Sequence, residues 1–151
     1  MVKIELTSEL NAPLSAVFTV CADHANFNRL PGITESERTR DGTPDINGLG
    51  AQRRLKVGGN MIWEDIVGFE RDALIEYRIV KMKPDIVRHV LGRQRFSALP
   101  GGGTRVHWTS EFEVKIPILG RFMEPKVARQ FEKGFSIMLA KIEKLAAPPA
   151  A

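Results

Sequence analysis

Arg53 is the residue with the clearest chemical demand. Strand alternation turns it to the same side as Leu55 and Val57, while Arg54 and Lys56 face water. A guanidinium placed inside needs a carboxylate or another acceptor. Glu64 and Asp65, one strand further on, can supply one. Two readings follow: a structural ion pair, or an Arg53 that holds an anionic or carbonyl oxygen of a ligand while an acid and Tyr77 move a proton. Met61, Trp63, Val67 and Phe69 share one face by alternation, which brings Asp65 inward in place of Glu64; a bulge would reverse that choice. Tyr77 shares its face with Ile75 and Ile79 and reads as a core aromatic whose hydroxyl needs a partner.

The other reactive side chains point to less. His24 and His107 read as exposed, and His89 reads as exposed because Val90, Gly92, Gln94 and Phe96 set the opposite parity. Cys21 lies on an apolar helix face, where a thiol is packing. Three scattered histidines and one cysteine lack zinc-ligand spacing, and no Gly-x-Ser-x-Gly elbow is present, so no metal, no cofactor and no activated nucleophile is expected. Gly58-Gly59 and Pro100 to Gly103 lead into strands and read as hairpin turns, since a phosphate cradle has to lead into a helix.

The elements that must position these residues follow from periodicity. Val2, Ile4, Leu6, Ser8 and Leu10 alternate with polar residues as a half-buried strand. Pro13 opens a short helix with Leu14, Val17, Phe18 and Cys21 on one face, and a second short helix covers His24 to Leu30. Extended segments follow at Ile33 to Arg40, Ala51 to Val57, Met61 to Glu70, Ala73 to Lys81, Arg88 to Ala98 and Thr104 to Lys115. Their connectors are too short for parallel crossovers, so the sheet is antiparallel. Beyond Gly120 the period changes to helical, with Val127, Phe131, Phe135, Met138, Ile142 and Leu145 on one stripe of a rod roughly 36 Å long. Gly134 interrupts that rod, marking either close packing or room for a ligand, and close packing is the simpler reading.

With 151 residues, 43% of them hydrophobic, the chain forms one domain of residues 1–146 followed by a tail at 147–151. Lys and Arg number 22 against 18 acids, but they are interleaved, so no nucleic-acid partner is expected. The charged start offers no apolar leader, no stretch is long enough for stable membrane insertion, and a single Cys suits a reducing compartment; a cytoplasmic protein is expected.

Ala12-Pro13 with Val17-Phe18, then Asp23, Asn26-Phe27 and Leu30, Gly48-x-Gly50, Glu64, Tyr77-Arg78-Ile79 and Gly102-Gly103-Thr104-Arg105-Val106-x-Trp108 resemble the START-like superfamily, the SRPBCC group of polyketide cyclase/dehydrase and lipid-transport proteins. The resemblance spans Val2 to Leu145. It implies an α+β helix-grip fold, in which a curved antiparallel seven-stranded sheet wraps a long C-terminal helix after two short helices. Members bind lipids, sterols, polyketides or hormones, some are enzymes, and no universal catalytic motif carries over.

Together these readings predict a space between sheet and helix. Its expected wall is Phe18, Phe27, Leu55, Trp63, Ile75, Tyr77, Trp108, Phe131, Phe135 and Met138, with Arg53 and either Glu64 or Asp65 at a polar end. The function expected is binding or carriage of a hydrophobic small molecule such as a lipid, polyketide or quinone-like compound. The alternative is an aromatase/cyclase- or dehydratase-type enzyme using the same acid and base groups. A third option is a partner- or membrane-touching patch at Ile116-Pro-Ile-Leu119 with Phe122-Met123, whose bland reading is a cap on the helix start.

Overall fold

β1 (Val2–Leu10) sets the frame, because its partner is the last strand in chain order. It pairs antiparallel with β7 (Thr104–Val114) from Val2 opposite Phe112 to Leu10 opposite Thr104. The computed structural model describes residues 1–116 and 119–148. Pro117 and Ile118 of the apolar patch and residues 149–151 of the expected tail lie outside the described residues.

Between these strands come α1 (Leu14–Ala22), a short 3-10 segment (His24–Arg29), β2 (Ile33–Arg40), β3 (Gln52–Val57), β4 (Asn60–Glu70), β5 (Leu74–Lys83) and β6 (Val87–Ala98); α2 (Leu119–Ala146) closes the order. The seven strands run β1-β7-β6-β5-β4-β3-β2, every neighbouring pair antiparallel. This is the helix-grip arrangement expected from the order of elements. The register shifts between Trp63 and Glu64, between Ile66 and Gly68, and between His89 and Leu91. Each inserts a residue on one strand and bends the sheet there, so the bulges supply curvature that a flat ladder would lack.

Buried apolar residues gather on the concave side. Phe18 of α1 meets Phe69 and Phe96 edge-to-face at 5.4 and 5.1 Å between ring centres. α2 lies along β1 and α1. Its C-terminal half is seated by Leu139, Ile142 and Ala146, all buried, whereas Phe122 and Phe131 in its N-terminal half are 79% and 41% exposed. Pro125 stands within that outer half, where it removes one helical N–H. Of the apolar stripe predicted from spacing, Phe135 and Ile142 are buried, Val127, Met138 and Leu145 are half-buried and Phe131 is exposed.

β5 and β6 pair only from Leu74 opposite Arg95 to Tyr77 opposite Gly92. Beyond that point they fork, and side chains bridge the gap. The Ile79 N–H donates to His89 Nδ1 at 3.0 Å, and Arg78 Nε donates to the Val90 carbonyl at 3.0 Å. Gly92 sits at the fork because a Cβ there would fall inside the Tyr77 ring. Replacing Gly92 by Ala should destabilise the protein by about 1–3 kcal/mol through overpacking, read as a lower urea midpoint at unchanged slope. An unchanged midpoint would show that the Tyr77 ring moves aside without cost.

Candidate functional site

Arg53 and Glu64 face each other across the β3–β4 ladder, on strands adjacent in the chain and joined by the Gly58-Gly59 turn. Both are 4% exposed. Arg53 Nε donates to Glu64 Oε2 at 2.6 Å, and Arg53 NH1 donates to His24 Nδ1 at 3.1 Å. The guanidinium carbon lies 4.4 Å from the centre of the Phe27 ring and 5.1 Å from that of Tyr77, so the cation is clasped between two aromatic faces. Burying one charge alone would be prohibitive; the carboxylate, the imidazole and the rings together make it tolerable.

His24 is fully buried, correcting the expectation of an exposed ring. The 3-10 segment, not a strand, carries it, so no alternation rule applied. Its Nε2–H donates to the Asn47 carbonyl at 2.7 Å, which leaves Nδ1 to accept from Arg53. Burial first, and the Arg53 charge second, push its pKa down to about 3, so the ring is neutral. Ser36 ties the same segment down by accepting from the Phe27 N–H and donating to the His24 carbonyl.

The bulge past Ile66 changes the expected face of β4. Glu64 and Ile66 point inward with Ile62, and after the extra residue Phe69 points inward too, against Phe18. Trp63 and Asp65 lie on the outer face instead of the expected wall. Lys81 Nζ is 4.6 Å from the Trp63 ring centre, and Asp65 Oδ1 accepts from Gln52 and pairs with Arg40. A bulge at Val90 acts in the same way on β6. It turns His89 inward, where it is 8% exposed, correcting the expected surface position. His107 remains on the outer side, bonded to Glu5.

Phe18, Phe27, Leu55, Ile75, Tyr77, Trp108 and Phe135 are all buried on the concave side. Trp108 stacks on Phe135 of α2 at 3.9 Å, and its Nε1–H donates to the Tyr77 hydroxyl at 2.9 Å. Met138 is half-buried and Phe131 exposed, so the outer end of the expected wall is only loosely covered. Sequence reasoning missed His24, His89 and Ser110 as members of this polar cluster; the inward parity of Ser110 with Trp108 and Phe112 was its one available signal. Two shallow clefts lined by described residues, of about 240 and 260 Å³, lie instead beside Met1 and Glu124 and beside Leu10 and Pro100, remote from Arg53. Among the described residues no group of His, Cys, Asp and Glu has metal-site geometry, and burial pushes the Cys21 thiol up to about 12.

The chain matches the model of a family described as polyketide cyclase/dehydrase and lipid transport over residues 1–147. No curated protein matches it. Among solved structures it is similar to a START superfamily protein from Mycobacterium smegmatis, with a TM-score of 0.80 at 15% identity over 97% of each chain. It is also similar to the Zhui aromatase/cyclase from Streptomyces sp. R1128, with a TM-score of 0.72 at 21% identity over 95% of this chain and 92% of that one. The di-domain ARO/CYC StfQ from the steffimycin biosynthetic pathway gives 0.75 at 14% identity, over 96% of this chain and 50% of that one. At these identities the likeness is one of fold.

Two outcomes are expected at this cluster. Glu64→Ala strands the Arg53 charge and should cost about 3–5 kcal/mol, while Arg53→Met combined with Glu64→Leu should recover most of it, both read by chemical denaturation. His24 has its folded pKa well below its ordinary 6.5, so between those values the unfolded chain binds the extra proton. Stability should therefore fall as pH drops from about 6.5 toward 3, by up to about 1.4 kcal/mol per unit from this group. His24→Gln should flatten that slope; an unaltered slope would assign it to other groups.

Proposed function

The chain belongs to the polyketide cyclase/dehydrase and lipid transport family, and from that premise we propose that it binds and carries a hydrophobic small molecule between the curved sheet and α2. The observation that carries this reading is a charged, hydrogen-bonded cluster, Arg53, Glu64 and His24, with the Tyr77 ring against the guanidinium, held on the concave face and surrounded by aromatic and aliphatic side chains. Such a wall, apolar with a few oriented polar groups, is how small-molecule sites are generally made. Arg53 has five N–H groups, and two of them are engaged at Glu64 and His24, so donors remain for a ligand oxygen.

Gly134 adds a second support. It lies on the same helical stripe as Phe131 and Met138, and a Cβ built on it meets no atom within 4 Å. Close packing, the simpler expectation for this glycine, is therefore not its reason. The half-exposed Phe131 beside it and the outward Phe122 make the N-terminal half of α2 the part of the grip that has least to lose by moving. We read that half as the side from which a ligand enters, the apolar contacts of Phe131, Phe135 and Met138 closing over it.

The family and the likeness to aromatase/cyclases support a second reading, in which the same cluster acts on a bound polyketide. One observation weighs against it as the first choice. Glu64 is already bonded to Arg53 at 2.6 Å, so the acid best placed to move a proton is occupied in holding the cation.

Titration with a fluorescent fatty acid and with 2-acetylnaphthalene, followed by native mass spectrometry, tests carriage. One-to-one binding is expected. Gly134→Leu should weaken it by roughly tenfold by filling the space, with little change in folding stability. Absence of binding to either probe, or a Gly134→Leu variant that binds as well as the parent, would overturn this site.

A further inference from the structure

Two lysines on the outer face of the sheet share one aromatic ring. Trp63, the fourth residue of β4, turns outward, and Lys81 Nζ and Lys83 Nζ of β5 lie 4.6 and 5.9 Å from its ring centre. Strict alternation from Tyr77 would send both lysines inward with Ile79. The ladder instead pairs Ile79 with Glu64 and Lys81 with Trp63, so Val80 is an extra residue on β5 and the lysines emerge on the side of Trp63 and Met61. Both are exposed, and among the described residues neither has a carboxylate partner. The acids of this region are engaged elsewhere: Asp65 with Arg40, Glu35 and Glu37 with Arg54, Asp85 with Lys115, and Glu113 with Arg88. Two ammonium groups on one indole repel each other, and the ring offsets only part of that. An anion from outside the chain would complete the arrangement.

Exposed apolar side chains stand at the same end of the molecule. β5 stops there at Lys83, β6 starts at Val87, β7 stops at Val114 and α2 starts at Leu119. The Lys115 N–H donates to the Ile86 carbonyl at 2.8 Å and Lys115 Nζ pairs with Asp85, which ties the β5–β6 connection to the segment leading into α2. In the first turns of that helix Phe122 is 79% and Met123 42% exposed. A cap on the helix start would be covered, and Phe122 is not. The lysines and the phenylalanine come from separate elements that end on one side, so they meet a flat partner better than a peptide in a groove. A bilayer surface is flat and takes both: phosphate groups answer the lysines, and the boundary with the acyl chains takes the ring. Among the described residues no helix is long and apolar enough to cross a membrane, so the contact is with its surface.

We propose that this end of the protein, Trp63, Lys81 and Lys83 on the sheet with Phe122 and Met123 on α2, docks on the surface of an anionic phospholipid bilayer. The inference goes beyond carriage and does not depend on it. Vesicle sedimentation tests it, with phosphatidylcholine alone and with phosphatidylcholine containing roughly 30% phosphatidylglycerol. Binding is expected to the anionic vesicles only, and it should weaken as salt is raised. Lys81→Gln combined with Lys83→Gln should weaken it about twentyfold, and Phe122→Ser about tenfold. Acrylamide quenching locates the contact: anionic vesicles should shield the half-buried Trp63, against a constant background from buried Trp108. No binding to the anionic vesicles, equal binding to both compositions, or binding that survives both sets of substitutions overturns the proposal. Equal capture by polyglutamate with no effect of Phe122→Ser also overturns it, assigning the lysines to an acidic polypeptide. Carriage is measured without vesicles, so either reading can fail while the other stands.

Discussion

An arginine buried against a glutamate organises the interior of this protein. Either charge alone on the concave face would cost several kcal/mol in lost hydration, so the two strands that bear them are bound to a single register, Arg53 opposite Glu64. The demand does not stop at the pair. A guanidinium offers more donors than one carboxylate oxygen accepts, and His24 takes another. His24 can accept only because Asn47 takes its second nitrogen's proton, which fastens the loop between β2 and β3 to the 3-10 segment. One buried cation thus couples β3, β4, that segment and a long loop, and Phe27 and Tyr77 complete its surroundings.

From Tyr77 the same constraint reaches the helix. Gly92 lets the ring lie against β6, Trp108 donates to its hydroxyl, and Trp108 in turn stacks on Phe135 of α2. The polar cluster is therefore in register with the long helix through one aromatic contact, near the middle of the rod. On the C-terminal side of that contact, Leu139, Ile142 and Ala146 seat the helix firmly; on the other side, exposed Phe122 and Phe131 and an internal proline leave it weakly held. A grip that is tight at one end and loose at the other can admit a ligand without unfolding the sheet.

Much of this was legible in residue order. Alternation in β1, β3 and β7 identified the inward side chains, including Arg53, Trp108 and Ser110, because an unbroken ladder reverses the side chain at every step. The misreadings fall where the ladder is broken. Counting backward from Phe69 put Trp63 and Asp65 inside, and the extra residue past Ile66 reverses that count in favour of Glu64. Counting from Phe96 and Gln94 put His89 outside, and the extra residue at Val90 brings it in. A bulge has no dependable signature in one sequence, since any residue can occupy it. His24 was misjudged for a different reason: an irregular segment has no period to count.

The sequence by itself determined the order and type of the elements, the antiparallel sheet, the apolar stripe of the last helix and the inward turn of Arg53. Those are properties of local periodicity and short connectors, carried by neighbouring residues. Only the tertiary structure decided which acid answers the arginine, that two histidines are buried and neutral, and that the Trp108 indole donates to the Tyr77 hydroxyl. Those depend on contacts between residues far apart in the chain, where a one-residue shift of register exchanges one face of a strand for the other.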